Sequence, residues 1–335
     1  MTNDKNYNSV SRAEQSRAEQ SRAEQSNTIA EIPTVAVIMS TYNGEKYLRE
    51  QIDSILSQKG VNVELFVRDD GSTDSTIDIL SDYEKINKNI HVEQGANLGH
   101  TKSFIHALIS APEFDYYAYS DQDDVWLDEK LISAVTLIKE KEFYHSKNVP
   151  VIWHCNYNFV DSNLNFIRAY RQEKRICSLE SFALSQYGRG CAIVMNASVR
   201  KVLKNFQAFC ITHDNSLFPL VCASAGYIIL DPHVYFLYRQ HGNNVSKPPA
   251  TLKDRIMLAL KNVTKKSRYG TEYAKRILQV YGDKLPSDTR NNLILVAGYR
   301  EHWLYRVKII LSPKFATGYF LRTLFGKIRV LLGNL

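Results

Sequence analysis

The chain has 335 residues, 44% of them hydrophobic and 23% charged, with a formal net charge of +7, which suits one large or two modest globular domains. The cationic excess suits an anionic partner such as a nucleotide diphosphate, an acidic glycan or a membrane surface; no basic helix or aromatic stacking module argues for nucleic acid. Five scattered cysteines without a CxxC pair or a preceding signal peptide exclude a cysteine zinc site and imply a reduced, cytoplasmic setting, and no apolar run approaches the roughly 20 residues that span a bilayer.

Residues 1–32 are polar and repeat Ser-Arg-Ala-Glu-Gln three times over 11–25. They cannot build a core and read as a disordered or transiently helical arm. The same peptide period arises when the five-base unit AGCAG is read in triplets, so slippage in such a tract would switch translation on and off. The alternative is a repetitive tail without regulatory meaning. From Thr34 the pattern changes. Thr34–Met39 is an apolar, β-branched run and predicts a buried strand, followed by a turn at 40–44 and a helix over 45–58. Val63–Val67 predicts a second strand ending in Arg68-Asp69-Asp70-Gly71-Ser72, with a helix from about Asp74. A third strand at 90–93, a helix at 101–110 and a fourth strand at 116–119 follow. The alternation predicts a mostly parallel central sheet flanked by helices, with ligands at the carboxyl ends of its strands. Further strands are expected at 149–154, 191–195, 227–230 and 234–238, and a helix at 213–225. Beyond Ser246 the chain reads as a basic helical extension, with segments at 251–265, 270–281, 287–311 and 315–332. The expected domains are therefore an arm (1–32), an α/β domain (33–246) and a helical extension (247–335).

Asp121, Asp123 and Asp124 crowd into four positions behind the strand Tyr116–Tyr119. Carboxylates this close repel one another. A divalent cation with a preference for oxygen, Mg²⁺ or Mn²⁺, would neutralise them, and such ions complete their shells with substrate phosphates. The alternative is a solvated turn that caps the next helix.

Val35–Gln58, Asp69–Thr76, Asn97-Leu98-Gly99 and Ser120–Trp126, with His213-Asp214 and Tyr-Arg-Gln-His-Gly-Asn-Asn-Val-Ser at 238–246, occur in an order and spacing that resemble glycosyltransferase family 2, and in detail its bacterial rhamnosyltransferase-like branch. The resemblance covers about residues 34–246. It implies a GT-A fold and inverting transfer of a sugar from a nucleotide-diphosphate donor. It further implies that Ser40, Thr41, Tyr42 and Glu45 line the nucleotide pocket, that Asp70 accepts from the pyrimidine N–H, and that Asp121 faces the ribose. Asp123 would ligate the metal and Asp214 would be the catalytic base. Arg239 and His241 would lie near the diphosphate, His241 as a candidate second metal ligand. The branch suggests dTDP-L-rhamnose as donor, and a growing cell-surface glycan, such as lipopolysaccharide or capsule, as acceptor.

Each assignment has a plainer reading. Asp69 and Asp70 could simply form a turn with Gly71, Asp214 could cap a helix, and Arg239 and His241 could belong to a surface strand. Strand alternation puts the last two on one face, where two donors could grip a diphosphate. Trp126 reads as a packing residue, and Gly188–Cys191 as part of an acceptor-side wall. The basic tail 313–335 reads either as buried against the catalytic domain or as a contact with an anionic membrane carrying lipid-linked acceptors. Two other functions share the layered architecture or the acids: a sugar nucleotidyltransferase, and a non-catalytic glycan-binding scaffold. The first is disfavoured by Ser-Thr-Tyr-Asn-Gly-Glu in place of a glycine-rich, Arg-containing loop.

Overall fold

The structure is a computed structural model that describes residues 31–185, 188–206, 212–242, 252–267 and 269–335. The repeat arm and the Asn243-Asn244 turn lie outside the described residues, apart from 31–33, which are irregular. Thr34–Leu335 forms one compact unit, so the C-terminal helices share a body with the sheet.

Three strand–helix units and a fourth strand open that body: β1 (Thr34–Thr41), α1 (Leu48–Leu56), β2 (Asn62–Asp69), α2 (Thr76–Ile86), β3 (Ile90–Gln94), α3 (His100–Ser110) and β4 (Tyr116–Ser120). β1 pairs in parallel with both β2 and β4, and β2 with β3. The register sets Thr41 beside Asp69 and Met39 beside Ser120, so the three carboxyl ends open on the same edge. The chain builds outward from β1 through β2 to β3 and then returns to β1's other side with β4. Such a switch in strand order leaves a crevice at the carboxyl ends. Val35, Val37 and Met39 point into one apolar cluster with Ile52 of α1 and Leu80 of α2. Ala36 and Ile38 point into the other, with Phe104 and Leu108 of α3. Burial on both faces explains the unbroken apolar run, since alternation appears only where one face meets water. α1 starts three residues later than expected because the N–H groups of Tyr47 and Leu48 both turn back to the Gly44 carbonyl (3.2 Å each).

The second half supplies β5 (Val125–Trp126), α4 (Lys130–His145), β6 (Val151–Val160), β7 (Phe166–Tyr170), α5 (Leu179–Leu184), β8 (Ile193–Asn196), α6 (Ala197–Phe206), α7 (Leu217–Ala223) and β9 (Tyr227–Arg239). The sheet order is β3-β2-β1-β4-β8-β6-β9-β5, with β7 on β6. It is parallel through β4 and mixed beyond, because β8 runs antiparallel to both β4 and β6. Two strands were expected at 227–230 and 234–238, but one long β9 forms. Pro232 and His233 fall where the β6 register skips from Asp231 to Val234, and Asn156 Nδ2 donates to the Pro232 carbonyl (2.7 Å). Proline is tolerated in a strand at such an irregularity.

The C-terminal helices are α8 (Leu252–Thr264), α9 (Tyr269–Tyr281), α10 (Ser287–Gly298), α11 (Trp303–Leu311) and α12 (Phe320–Leu331). The segment expected as one helix over 287–311 breaks between α10 and α11. Gly298 lies so close to the Tyr305 ring that a Cβ would sit 3.1 Å from it, and Arg306 bonds the Tyr299 and Arg300 carbonyls at the break (2.9 and 3.0 Å). Leu293, Tyr299, Phe315, Val330 and Leu335 join the same apolar cluster as Ala36 and Ile38. The tail thus has a buried face, while Phe320 (80% exposed), Leu324 and Leu331 stay in solvent. Among the described residues no helix is long and apolar enough to cross a membrane.

Candidate active site

A cleft of 2220 Å³ opens at the carboxyl ends of β1, β2 and β4. Its donor-side wall starts with the β1 loop. Thr41 Oγ1 donates to Asp69 Oδ1 (2.9 Å), and Asp69 Oδ2 accepts from the N–H groups of Gly71 (3.1 Å) and Ser72 (2.8 Å). Asp69 therefore shapes the turn, and Asp70 faces the cleft. Asp70 accepts from the N–H groups of Leu98 and Gly99 (2.8 Å each) and from the Arg68 guanidinium. Burial opposes its charge, but these three donors outweigh it and hold the carboxyl below its ordinary value. This makes Asp70 a rigid, ionised acceptor, and Asn97-Leu98-Gly99 is the segment that fixes it.

Ser40, Thr41 and Tyr42 also line the cleft. Ser40 shares a 2.7 Å hydroxyl bond with Ser103. The half-exposed Tyr42 is held through its backbone, whose N–H donates to Gln122 Oε1 (2.8 Å) and whose carbonyl accepts from Gln122 Nε2 (3.1 Å). That amide clamp ties the β1 loop to the acidic loop, a role no motif signalled. Glu45 departs from expectation: it is absent from the lining, and its Oε2 accepts from the Ser75 N–H (3.0 Å) just ahead of α2.

The acidic loop, 121–124, is pinned between β4 and β5. β5 pairs antiparallel with the end of β9, Val125 opposite Leu237, which brings the 238–242 segment against the acids. Asp121 and Asp123 line the cleft, and His241 Nε2 lies 2.7 Å from Asp123 Oδ2. Asp124 is fully buried and accepts from the Arg239 N–H (3.2 Å). Arg239 corrects the sequence reading. Its side chain is 1% exposed and donates to the Asp123 carbonyl (2.9 Å), the Ser162 carbonyl (2.7 Å) and Glu50 Oε2 (2.6 Å). Arg239 holds the loop from behind and does not line the cleft, whereas His241 does. Alternation put both on one face, but the strand ends at Arg239 and only His241 lies beyond it.

Asp121, Asp124 and Cys191 bring potential ligand atoms within 4.8 Å of one another. Burial and the charge of Asp121 raise the Asp123 carboxyl above its ordinary value despite His241. Burial, Asp123 and Asp121 likewise push Asp124 well up against the Arg239 N–H and Cys191. Burial is the larger cause of both shifts and the crowding of the carboxylates adds to it, so a divalent cation beside the loop would favour their ionised forms. Oxygen ligands suit Mg²⁺ or Mn²⁺, whereas the Cys191 thiol, raised by burial and the neighbouring acids, is a poor partner for a hard ion. Lys130 lies fully buried nearby. Its Nζ donates to the Cys191 carbonyl (2.5 Å) and sits 3.3 Å from the centre of the Trp126 ring. Burial pulls its ammonium down to about 8, with the acids opposing. No motif signals this cation; Trp126 is the packing residue expected, 2% exposed.

The opposite wall comes from the turn ahead of α7. Asp214 faces the cleft half-buried, with Oδ1 accepting from the Asn215 N–H (2.7 Å) and Asn215 Nδ2 (3.0 Å). Oδ2 has no hydrogen bond among the described residues. The side chain does not cap α7, whose N-cap is Ser216. Its neighbour His213 stacks on Phe104 (4.3 Å between rings), with neither ring nitrogen hydrogen-bonded among the described residues. Of the expected wall Gly188–Cys191, Gly188, Arg189 and Gly190 line this side of the cleft, while Cys191 is fully buried. The sequence reading missed the far end of the cleft, lined by residues of 168–175 and 318–329. β7 is a short edge element without motif, and α12 reaches the cleft only through long-range packing.

A sheet with this switch point, an acidic loop at the end of β4 and a carboxylate opposite defines a GT-A glycosyltransferase. Residues 36–203 match the profile described as Glycosyl transferase family 2, and the chain belongs to that family of enzymes. It is similar to dTDP-rhamnosyl transferase RfbG of Shigella flexneri, with 27% identity over 220 residues that cover 62% of this chain and 72% of RfbG. In fold it resembles S. aureus TarS 1-349 in complex with UDP and with UDP-GlcNAc, each with a TM-score of 0.52 and 18% identity over 90% of this chain and 90% and 91% of those chains.

Proposed function

We propose that this glycosyltransferase inverts the anomeric centre of a nucleotide-diphosphate sugar, with Asp214 as base. The carrying observation is that an oriented carboxylate, one oxygen fixed by Asn215 and the other without a hydrogen bond among the described residues, shares a single cleft with Asp70 and the acidic loop. Asp70 would accept from the base, with Ser40, Thr41 and Tyr42 forming the nucleotide wall. Asp121 would face the ribose, and Asp123, with His241, would hold Mn²⁺ or Mg²⁺, which would offset the charge on the leaving diphosphate. Asp214 Oδ2 would take the proton as the acceptor hydroxyl oxygen bonds to the anomeric carbon. The bond from that carbon to the diphosphate oxygen breaks, and nucleoside diphosphate leaves with the electron pair. Arg239 and Gln122 act by holding the loops.

The donor we propose is dTDP-L-rhamnose, which the likeness to RfbG supports. The acceptor would be a growing lipopolysaccharide or capsule glycan, and the enzyme would work in the cytoplasm, peripherally on the membrane. Residues 33–246 would be the catalytic part and 247–335 a helical extension built into it. The test is product analysis across nucleotide sugars with Mn²⁺ or Mg²⁺, preceded by a thermal-shift screen for donors that stabilise the native state. Free nucleoside diphosphate and a sugar of inverted configuration are expected. Release of pyrophosphate, or retention of configuration, would refute the reading.

A further inference from the structure

Beyond the donor site the cleft continues into a wing between two walls. One wall is β7 with the segment that follows it, and the other is α12 with the Gly318-Tyr319 turn ahead of it. The walls are joined at their base. Gly318, at φ +82°, packs so tightly on the Lys174 carbonyl that a Cβ would overlap it. The Ile176 N–H donates to the Thr317 carbonyl (3.3 Å), and Tyr319 Oη donates to the Arg171 carbonyl (3.3 Å). The wing is therefore a built groove rather than a gap between loose ends.

Its lining is electrostatically one-sided. Arg168, Arg171, Lys174, Arg175, Arg322 and Arg329 line it, and no Asp or Glu does so among the described residues of these walls. Glu173, in the same segment, binds Asn156 Nδ2 instead (3.2 Å). The acids of the cleft, Asp70, Asp121, Asp123 and Asp214, all lie outside the wing walls. Six cations on facing walls raise the local potential for an anion, and guanidinium forks match phosphate oxygens in pairs. Tyr319, Phe320, Leu321 and Phe325 border these cations, so the groove offers apolar surface beside its charge.

We infer that the wing is an acceptor subsite for a phosphate or diphosphate group, so that the acceptor is a phosphorylated saccharide whose reacting hydroxyl reaches Asp214. This rests on the transfer reading above. The shared chemistry is the phosphate, whether it links the acceptor to a lipid or lies within a glycan.

The test uses the full chain and isothermal titration with inorganic pyrophosphate and farnesyl diphosphate, each with and without saturating dTDP and Mn²⁺. The wing variant is Arg171→Gln/Lys174→Gln/Arg322→Gln, three exposed side chains. The charge-matched control is Lys139→Gln/Lys201→Gln/Lys204→Gln, also exposed and away from the cleft. Binding of at least one probe should persist with dTDP present, weaken at least about tenfold in the wing variant, and hold in the control, since one charge-assisted bond corresponds to that much. Tighter binding of farnesyl diphosphate than of pyrophosphate identifies a lipid carrier; equal binding identifies phosphate on a glycan. Equal affinity in wild type and wing variant, equal loss in the control, or complete displacement by dTDP would overturn the subsite. The readout is binding, so it can fail while Asp214-dependent turnover stands, and the reverse.

Discussion

Asp214→Asn isolates the proposed base. The carboxylate is half-buried and carries no ion pair among the described residues, and its two bonds come from Asn215 to Oδ1 (2.7 and 3.0 Å). An asparagine can keep its carbonyl oxygen at that position and accept the same two bonds. What changes is the other atom, which becomes an NH₂ that cannot take a proton. The fold should be indifferent, with a stability change within about 0.5 kcal/mol. General-base catalysis contributes roughly 10²–10⁴-fold, or about 2.7–5.4 kcal/mol of barrier. The expectation is therefore a kcat reduced by that factor with donor affinity unchanged, because Asp70 and the acidic loop are untouched. Initial rates of nucleoside diphosphate release, with titration of the donor on the same samples, measure both quantities. A kcat within fivefold of wild type would refute the base assignment, and a lost donor affinity would mean that Asp214 binds the donor rather than the acceptor proton.

Other perturbations test the supporting framework. Arg239→Met leaves the Asp123 and Ser162 carbonyls without their buried donor, so urea denaturation should report a loss of about 2–6 kcal/mol; under 1 kcal/mol would show that the loop holds itself. Asp70 has a depressed carboxyl pKa in the fold, so its contribution is present above the ordinary carboxylate value near pH 4 and is lost as pH falls through the folded value. The stability gap between wild type and Asp70→Asn should then be widest at pH 7 and shrink below about pH 4; a gap constant with pH would contradict the Arg68, Leu98 and Gly99 bonds as its source. Gly318→Ala should cost stability, about 1–3 kcal/mol, and loosen the wing, since the added methyl meets the Lys174 carbonyl; an unchanged melting temperature would refute that close packing. If the repeat at 11–25 reflects a five-base tract, sequencing it in many colonies should reveal lengths differing by single units, and an invariant tract would end the idea.

What the sequence made legible follows the range of the interactions. β1 and β4 were readable as nearly unbroken apolar runs and β2 and β3 as short β-branched segments set between turns and helices, and the residues at the strand ends, Thr41, Asp70 and Asp121, face the cleft as a direct result of parallel register. That inference needs only local pattern and one rule about where such sheets bind ligands. Arg239 was misread for the opposite reason. Whether a guanidinium at a strand end faces a ligand or the interior depends on what meets it, and its partners, Glu50, Asp123 and Ser162, come from three distant segments. Glu45 turned aside to Ser75 for the same kind of reason. Lys130 shows the limit most clearly. A lysine at the start of a helix is ordinarily a solvated charge, yet here burial is tolerable because the Cys191 carbonyl, the Trp126 ring and the nearby acids converge on it from separate elements. The acids that announced the site in the sequence thus depend on a buried cation and a buried guanidinium that only the packing of β5, β9 and α4 assembles. An acidic motif in this fold therefore specifies where a cation would sit, while the stability of that arrangement is written in residues carrying no motif at all.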